Sequence, residues 1–222
     1  MKKYFFLHPA LAWGSLFILV WVFFFRSYTA FFWFSLFLVP MFLIFRRSPV
    51  PFVETVKVDK ELILSPVFGT VVSIRQNTEL FETGEIGHEV RIAISFWNPK
   101  GLYLPTSGEV SYLKYIKGKR IDLDAGPEFF YGNLEGVSRS NLTLLSNKKI
   151  PISMRFIDRP YGVRPEIWIK SGDIGRGGAC FGHYLFGGTL LMYLPKECNI
   201  LVFENERVVP GSTVVASVSL DK

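Results

Sequence analysis

The sequence predicts a mainly β protein, in which an N-terminal transmembrane helical hairpin (residues 1–47) is followed by one β-rich domain (48–222). Three observations carry that reading. Two uncharged apolar runs stand at the N-terminus, segments of period-two alternation recur after them, and no amphipathic helical pattern is found beyond Val53.

The apolar runs come first. From Tyr4 to Phe25 and from Ser27 to Phe45 no Asp, Glu, Lys or Arg occurs, giving stretches of 22 and 19 residues. About 20 apolar residues cross a bilayer core as a helix, so membrane spans are expected at about 8–25 and 29–45. A cleaved signal peptide is the competing reading, because Lys2 and Lys3 precede an apolar stretch and Ala10-Leu11-Ala12 imitates a small-x-small cleavage site. The apolar stretch before that site is short and hydrophobicity continues far beyond it, which favours retained membrane segments. Only Arg26, Ser27, Tyr28 and Thr29 separate the runs, as in a tight hairpin, and Pro40 is tolerated there as a kink. Lys2 and Lys3 flank one end and Arg46 and Arg47 the other, against a lone Arg26 in the turn. The positive-inside rule then puts both ends, and everything after Arg47, in the cytoplasm.

Charge divides along the same boundary. The formal net charge is +6, and the first 50 residues hold five Lys or Arg and no acid, which leaves +1 for the remainder. The basic character therefore belongs to membrane flanks, and a nucleic-acid partner is not expected. Two cysteines, Cys180 and Cys198, make no disulfide framework, and a cytoplasmic location would keep them reduced.

In "RRSPVPFV", Pro49 and Pro51 favour an extended exit from the bilayer. Val90, Ile92, Ile94 and Phe96 alternate with Glu89, Arg91, Ala93 and Ser95, and Ile150, Ile152, Met154 and Phe156 alternate with Pro151, Ser153 and Arg155. Both read as half-buried strands. Leu190 to Leu194 and Ile200 to Phe203 are continuous apolar runs, expected to be strands buried on both faces. Lys117-Gly118-Lys119 and Pro210-Gly211 are turn signals, and about 170 residues bury an adequate core without staples.

Several local constellations carry weak chemistry. "GDIGRGGACFG" lacks the strand-then-helix context of a phosphate-cradling loop and reads as a turn between strands. Cys180 and His183, three apart on a strand, point to opposite faces, so a nucleophile-base dyad needs a bulge between them. Adding Cys198 gives three zinc-ligand types without a matching spacing. Asn141-Leu142-Thr143 is a glycosylation sequon in form only for a cytoplasmic domain. "KGKR", Lys117 to Arg120, could touch anionic headgroups, against the commoner reading of a solvated hairpin turn.

Taken in order, "FRRSP", "LSPVFGTVVSI", "FWNPKGLYLPTSGEV" and "GACFGHYLFGGTLLMYLP" resemble a short-form bacterial phosphatidylserine decarboxylase, across nearly the whole chain. The family's corresponding segments run approximately as "SPADG", "F-x-x-P-x-D-V-H-x-x-R-x-P-x-x-G" and "G-x-F-x-F-G-S-T". The resemblance implies a domain on the cytoplasmic face of a bacterial inner membrane and a phospholipid ligand. It also implies self-cleavage before a serine, which leaves a pyruvoyl group that forms a Schiff base with the substrate amine and draws electrons as CO₂ departs. A histidine and an aspartate assist the cleavage.

Residue by residue, the side chains this chemistry needs are missing. The aspartate position falls on Phe68, the histidine position on Tyr103 and the serine position on Gly188, or the serine is deleted before Thr189. The resemblance therefore implies a degenerate member that has no pyruvoyl cofactor, with Gly187, Gly188, Thr189 and His183 lining a remnant pocket. Two substitute nucleophiles remain open. Thr189 would leave a 2-oxobutanoyl group, and Gly211-Ser212-Thr213 matches the cleavage tripeptide. Cleavage before Ser212 would release only the last 11 residues, and "ERVVPGSTVVASV" matches better the family's closing hairpin, with Gly211 as its turn residue. Three functions follow: an inactive relative that binds membrane phospholipid, an active decarboxylase or another lipid-synthesis enzyme; a working decarboxylase with a relocated pyruvoyl-type group; or a lipid-independent membrane assembly protein.

Overall fold

The computed structural model describes residues 56–57, 60–79, 85–95, 98–118, 136–157, 164–185 and 187–219, with Leu16, Phe17, Val20, Trp21, Trp33 and Leu36 of the apolar runs. Those six are helical and exposed. The rest of the expected hairpin, 1–47, lies outside the described residues, among which no helix is long and apolar enough to cross a membrane.

From Val56 onward every described element is a strand. In chain order these are β1 (Val56–Lys57), β2 (Lys60–Leu64), β3 (Gly69–Glu79), β4 (Ile86–Ile94), β5 (Gly101–Tyr103), β6 (Gly108–Ile116), β7 (Arg139–Ser146) and β8 (Pro151–Ile157). There follow β9 (Glu166–Ile167), β10 (Ile174–Gly175), β11 (Cys180–His183), β12 (Gly188–Pro195), β13 (Cys198–Ile200), β14 (Arg207–Val208) and β15 (Val214–Ser219). They form an eight-stranded sheet in the order β10-β6-β7-β8-β12-β4-β3-β14, a four-stranded sheet β1-β2-β15-β13 and a three-stranded sheet β5-β11-β9. Every pairing is antiparallel.

The alternating sequences became the inner strands of the large sheet. Val90, Ile92 and Ile94 of β4 and Ile152, Met154 and Phe156 of β8 turn to one face, where they meet Leu190, Met192 and Leu194 of the strand between them. Residues from the two smaller sheets, among them Ile63, Ala216, Leu102 and Phe181, join the same cluster. Burying such side chains stabilises by about 1.5–3 kcal/mol each.

The opposite face of the large sheet is also buried but polar. Glu89, Arg91, Tyr193, Ser153, Arg155 and Asn141 lie on it in adjacent strands, all less than a tenth exposed. Arg91 Nε donates to Glu89 Oε1 at 2.5 Å, and Arg155 Cζ sits 5.5 Å from the Tyr193 ring centroid. Burial, reinforced by the Glu89 charge, holds the Tyr193 phenol well above its ordinary range. This explains the unbroken apolar run in β12, since both faces of that strand are covered. Asn141, the sequon residue, is 2% exposed within β7.

The second continuous run behaves differently from expectation. β13 ends at Ile200, and only Val202 of the next three residues is buried; Leu201 is 43% and Phe203 75% exposed. The cause is a tight turn, in which Phe203 N–H donates to the Glu206 carboxylate and Glu206 N–H to Phe203 O. The turn takes the segment out of the sheet. "GDIGRGGACFG" runs from the turn before β10 through the β10–β11 connection into β11, with Gly178 at φ 77° in that connection. Gly211, at φ 73°, forms the turn before β15.

A buried carboxylate joins the sheets. Glu61 of β2 is fully buried, and its two oxygens accept hydrogen bonds from Thr106 Oγ1 (2.9 Å) and Ser146 Oγ (3.1 Å). Nearby in β13 the Cys198 thiol is pushed up to about 12, first by burial and then by the Glu197 and Glu61 carboxylates. The unfolded thiol ionises near 9.0, so this residue's contribution to stability is present below about pH 9 and declines as pH rises towards 12. Alkylation at pH 8.5 should therefore modify Cys180 first and Cys198 only on denaturation. Equal rates at both cysteines, read by peptide mass, would contradict that environment.

Candidate functional site

The start of β12 lies where the three-stranded sheet meets the eight-stranded one. Gly188 pairs with Ile94 of β4, and Thr189 pairs with Ala93 on one side and Ile157 of β8 on the other. Gly187 stands just before at φ 70°, a left-handed backbone that glycine adopts without penalty. A Cβ on Gly187 would overlap the Ile94 carbonyl oxygen. Its N–H donates to Tyr184 O at 3.2 Å, closing a turn that folds the end of β11 back over the start of β12.

That turn lays the Tyr184 ring on Gly188. A Cβ at 188 would lie 2.5 Å from Tyr184 Cζ and 2.6 Å from Cε1, and would overlap the hydroxyl. The ring is fixed from several directions. It is 1% exposed, its hydroxyl donates to Ile157 O, and its edge meets the Phe156 ring at 6.4 Å with an interplanar angle of 87°. Its own N–H donates to Lys100 O at 2.8 Å.

Phe68 and Tyr103 come together although 35 positions apart in sequence. Their rings meet edge to face at 6.3 Å and 76°. Tyr103 N–H donates to Pro66 O at 2.8 Å, which draws β5 against the turn holding Phe68, and Asn98 Nδ2 donates to Phe68 O at 3.2 Å. Tyr103 is 1% exposed and its ring covers Gly101. Thus two of the three positions assigned to catalysis by resemblance are in mutual contact, and both are aromatic.

The remaining candidates are dispersed. His183 of β11 is 2% exposed, with Nε2 3.2 Å from Glu166 Oε2 and its ring 5.5 Å from that of Trp168. A bulge does lie between Cys180 and Gly182, yet the Cys180 thiol donates to Gly182 O at 3.3 Å while His183 pairs with Glu166. Cys198 belongs to a different sheet, and among the described residues no three metal-ligating side chains cluster. Thr189 is 3% exposed. Ser212 is exposed in the turn before β15, its Oγ donating to Val209 O at 3.4 Å.

Two neighbours of the site were not singled out in the sequence. Tyr184 is one. The other is Lys100, 1% exposed, whose Nζ donates to the carbonyl of Ser95, the residue after β4, at 3.1 Å. A buried ammonium is costly unless hydrogen-bonded, and this one is held beside the strand end that pairs with Gly188. Neither residue had a spacing signal, since both contacts depend on how β4, β5 and β11 converge.

The model of the phosphatidylserine decarboxylase family matches residues 42–216. The chain belongs to the phosphatidylserine decarboxylase family. It is 26% identical over 191 residues to a phosphatidylserine decarboxylase proenzyme of Carboxydothermus hydrogenoformans, covering 84% of this chain and 85% of that protein. With the corresponding proenzyme of Amoebophilus asiaticus it shares 30% over 184 residues, covering 81% and 76%. With that of Syntrophus aciditrophicus it shares 27% over 159 residues, covering 69% and 70%. The decarboxylase-like domain expected from the sequence is therefore established, and family members are pyruvoyl-dependent carboxy-lyases acting on membrane phospholipid.

Within this decarboxylase frame, the close approach of Tyr184 to Gly188 has a measurable consequence. Gly188→Ser should destabilise the domain by about 1–3 kcal/mol through overpacking, and Tyr184→Leu should also destabilise by opening a cavity. The double variant should be more stable than the sum of the two losses, because the smaller side chain admits the serine. Additive losses in denaturant unfolding would contradict the contact.

Proposed function

We propose that this chain is a membrane-anchored relative of phosphatidylserine decarboxylase that does not process itself and uses the retained frame to bind membrane phospholipid or an active lipid-synthesis enzyme. The Tyr184 ring over Gly188 is the observation that carries this reading. A self-cleaving chain needs a hydroxyl at that position, with room for it to approach the preceding carbonyl. Glycine supplies no hydroxyl, and the space beside its α-carbon is taken by a phenol anchored to the Ile157 carbonyl.

The residues around it agree. Phe68 and Tyr103 fill the two assisting positions with rings that pack against one another, where the family chemistry calls for a carboxylate and an imidazole. The residues present do not fit a pyruvoyl group at 188. Thr189 is the nearest hydroxyl in sequence, but it is buried in a strand paired on both sides. Ser212 sits in an exposed turn at another place in the fold.

The two uncharged N-terminal runs and their basic flanks support an inner-membrane anchor with the β domain on the cytoplasmic face. Full-length protein, purified from a host lacking its own decarboxylase, should release no CO₂ above the blank from phosphatidylserine in mixed micelles. Sustained release would overturn the proposal in favour of an active enzyme with a relocated prosthetic group. Liposome binding indifferent to the headgroup would favour the assembly role.

A further inference from the structure

β6 changes character along its length. Gly108 and Val110 are buried, and β10 covers the strand only at Gly108 and Glu109. Val110 is still held, accepting from Gly172 N–H and donating to Asp173 O. From Tyr112 to Ile116, among the described residues, only β7 pairs with it. Tyr112 and Lys114 point to one face of the sheet and Tyr115 to the other, and the two tyrosines are 38% and 41% exposed. Each face of this strand tip thus carries a part-exposed tyrosine ring.

Cations gather there from three chain segments. Lys114 and Lys117 belong to β6 and its continuation, Arg139 lies opposite Ile116 on β7, and Arg164 places Cζ 4.9 Å from the Tyr115 ring centroid. No carboxylate occurs on β6 after Glu109 or anywhere on β7. Lysines on an edge strand serve ordinarily to discourage pairing with another strand. That role accounts for Lys114 and Lys117. It does not account for two half-exposed tyrosine rings, or for an arginine from a distant segment laid against one of them.

We propose that the tip of β6, Tyr112 to Lys117 with Arg139 and Arg164, is a docking surface for anionic phospholipid headgroups that fixes how the β domain sits on the bilayer. Tyrosine prefers the membrane–water interface, where its ring is apolar and its hydroxyl wet. Lysine and arginine extend apolar stems towards the lipid while their charges reach phosphates. The same lysines disfavour a protein strand as the occupant. This surface lies at the same end of the large sheet as Gly188, since Ile116, Arg139, Ile157 and Thr189 fall in register across β6, β7, β8 and β12, but it shares no residue with that site, so the inference does not depend on whether the chain is catalytic.

The test uses the full chain in nanodiscs, so that anchoring by the N-terminal runs is common to all samples. Amide hydrogen exchange at residues 112–116 is compared in phosphatidylcholine discs and in discs also containing phosphatidylglycerol, with β12 amides as internal control. Each basic residue at an anionic surface is worth about fivefold in binding. Exchange at the tip should therefore slow by at least that factor in anionic discs, and the protection should vanish at high salt and in Lys114→Glu/Lys117→Glu with β12 unchanged. Equal exchange in the two lipids would overturn the proposal. Protection in neutral discs that rises with protein concentration would assign the edge to a second copy of the chain and overturn it equally.

Discussion

One aromatic residue ties the parts of this domain together. Tyr184 donates its backbone N–H to Lys100 O ahead of β5, accepts from Gly187 N–H ahead of β12, donates its hydroxyl to the last residue of β8, and packs its ring against Phe156 and Gly188. It therefore couples the three-stranded sheet to the eight-stranded one where the central strand begins. A buried hydrogen-bonded phenol of this kind is costly to disturb, because removing one partner leaves another unsatisfied. The constraint also limits residue 188: the turn that seats the ring brings it to within contact of that α-carbon, and only glycine leaves room.

The fold was largely legible because period-two alternation is a direct imprint of one apolar face. Val90, Ile92 and Ile94 could be placed on a core strand without knowing their partners. The all-apolar run of β12 could be read as covered on both faces, although the polar character of its second face, with Glu89, Arg91 and Arg155 beside Tyr193, was not visible. Leu201 and Phe203 were misread for a specific reason. Apolar composition is the same in a buried strand and in an exposed turn, and the carboxylate of Glu206 that bends this segment lies outside the run.

The candidate site was legible only through family resemblance. Phe68, Tyr103 and Gly188 are chemically silent residues, and nothing in composition or spacing marks them. The resemblance gave the positions, and the structure adds that Phe68 and Tyr103 touch while Gly188 lies under Tyr184. Tyr184 and Lys100 escaped notice because their roles arise from tertiary approach. The Tyr184 contact with a residue four positions on depends on the left-handed turn at Gly187, and Lys100 reads in sequence as an ordinary surface charge, although it is 1% exposed.

The proposed function rests on one claim, that Gly188, packed under the Tyr184 ring, marks the place where a family member would cut its own chain. The most direct test is the intact mass of the purified full-length protein under denaturing conditions. A single uncut chain at the 25.4 kDa of the whole sequence is the predicted result. Two fragments meeting at Thr189 or Ser212, the downstream one beginning with a keto group, would contradict the account.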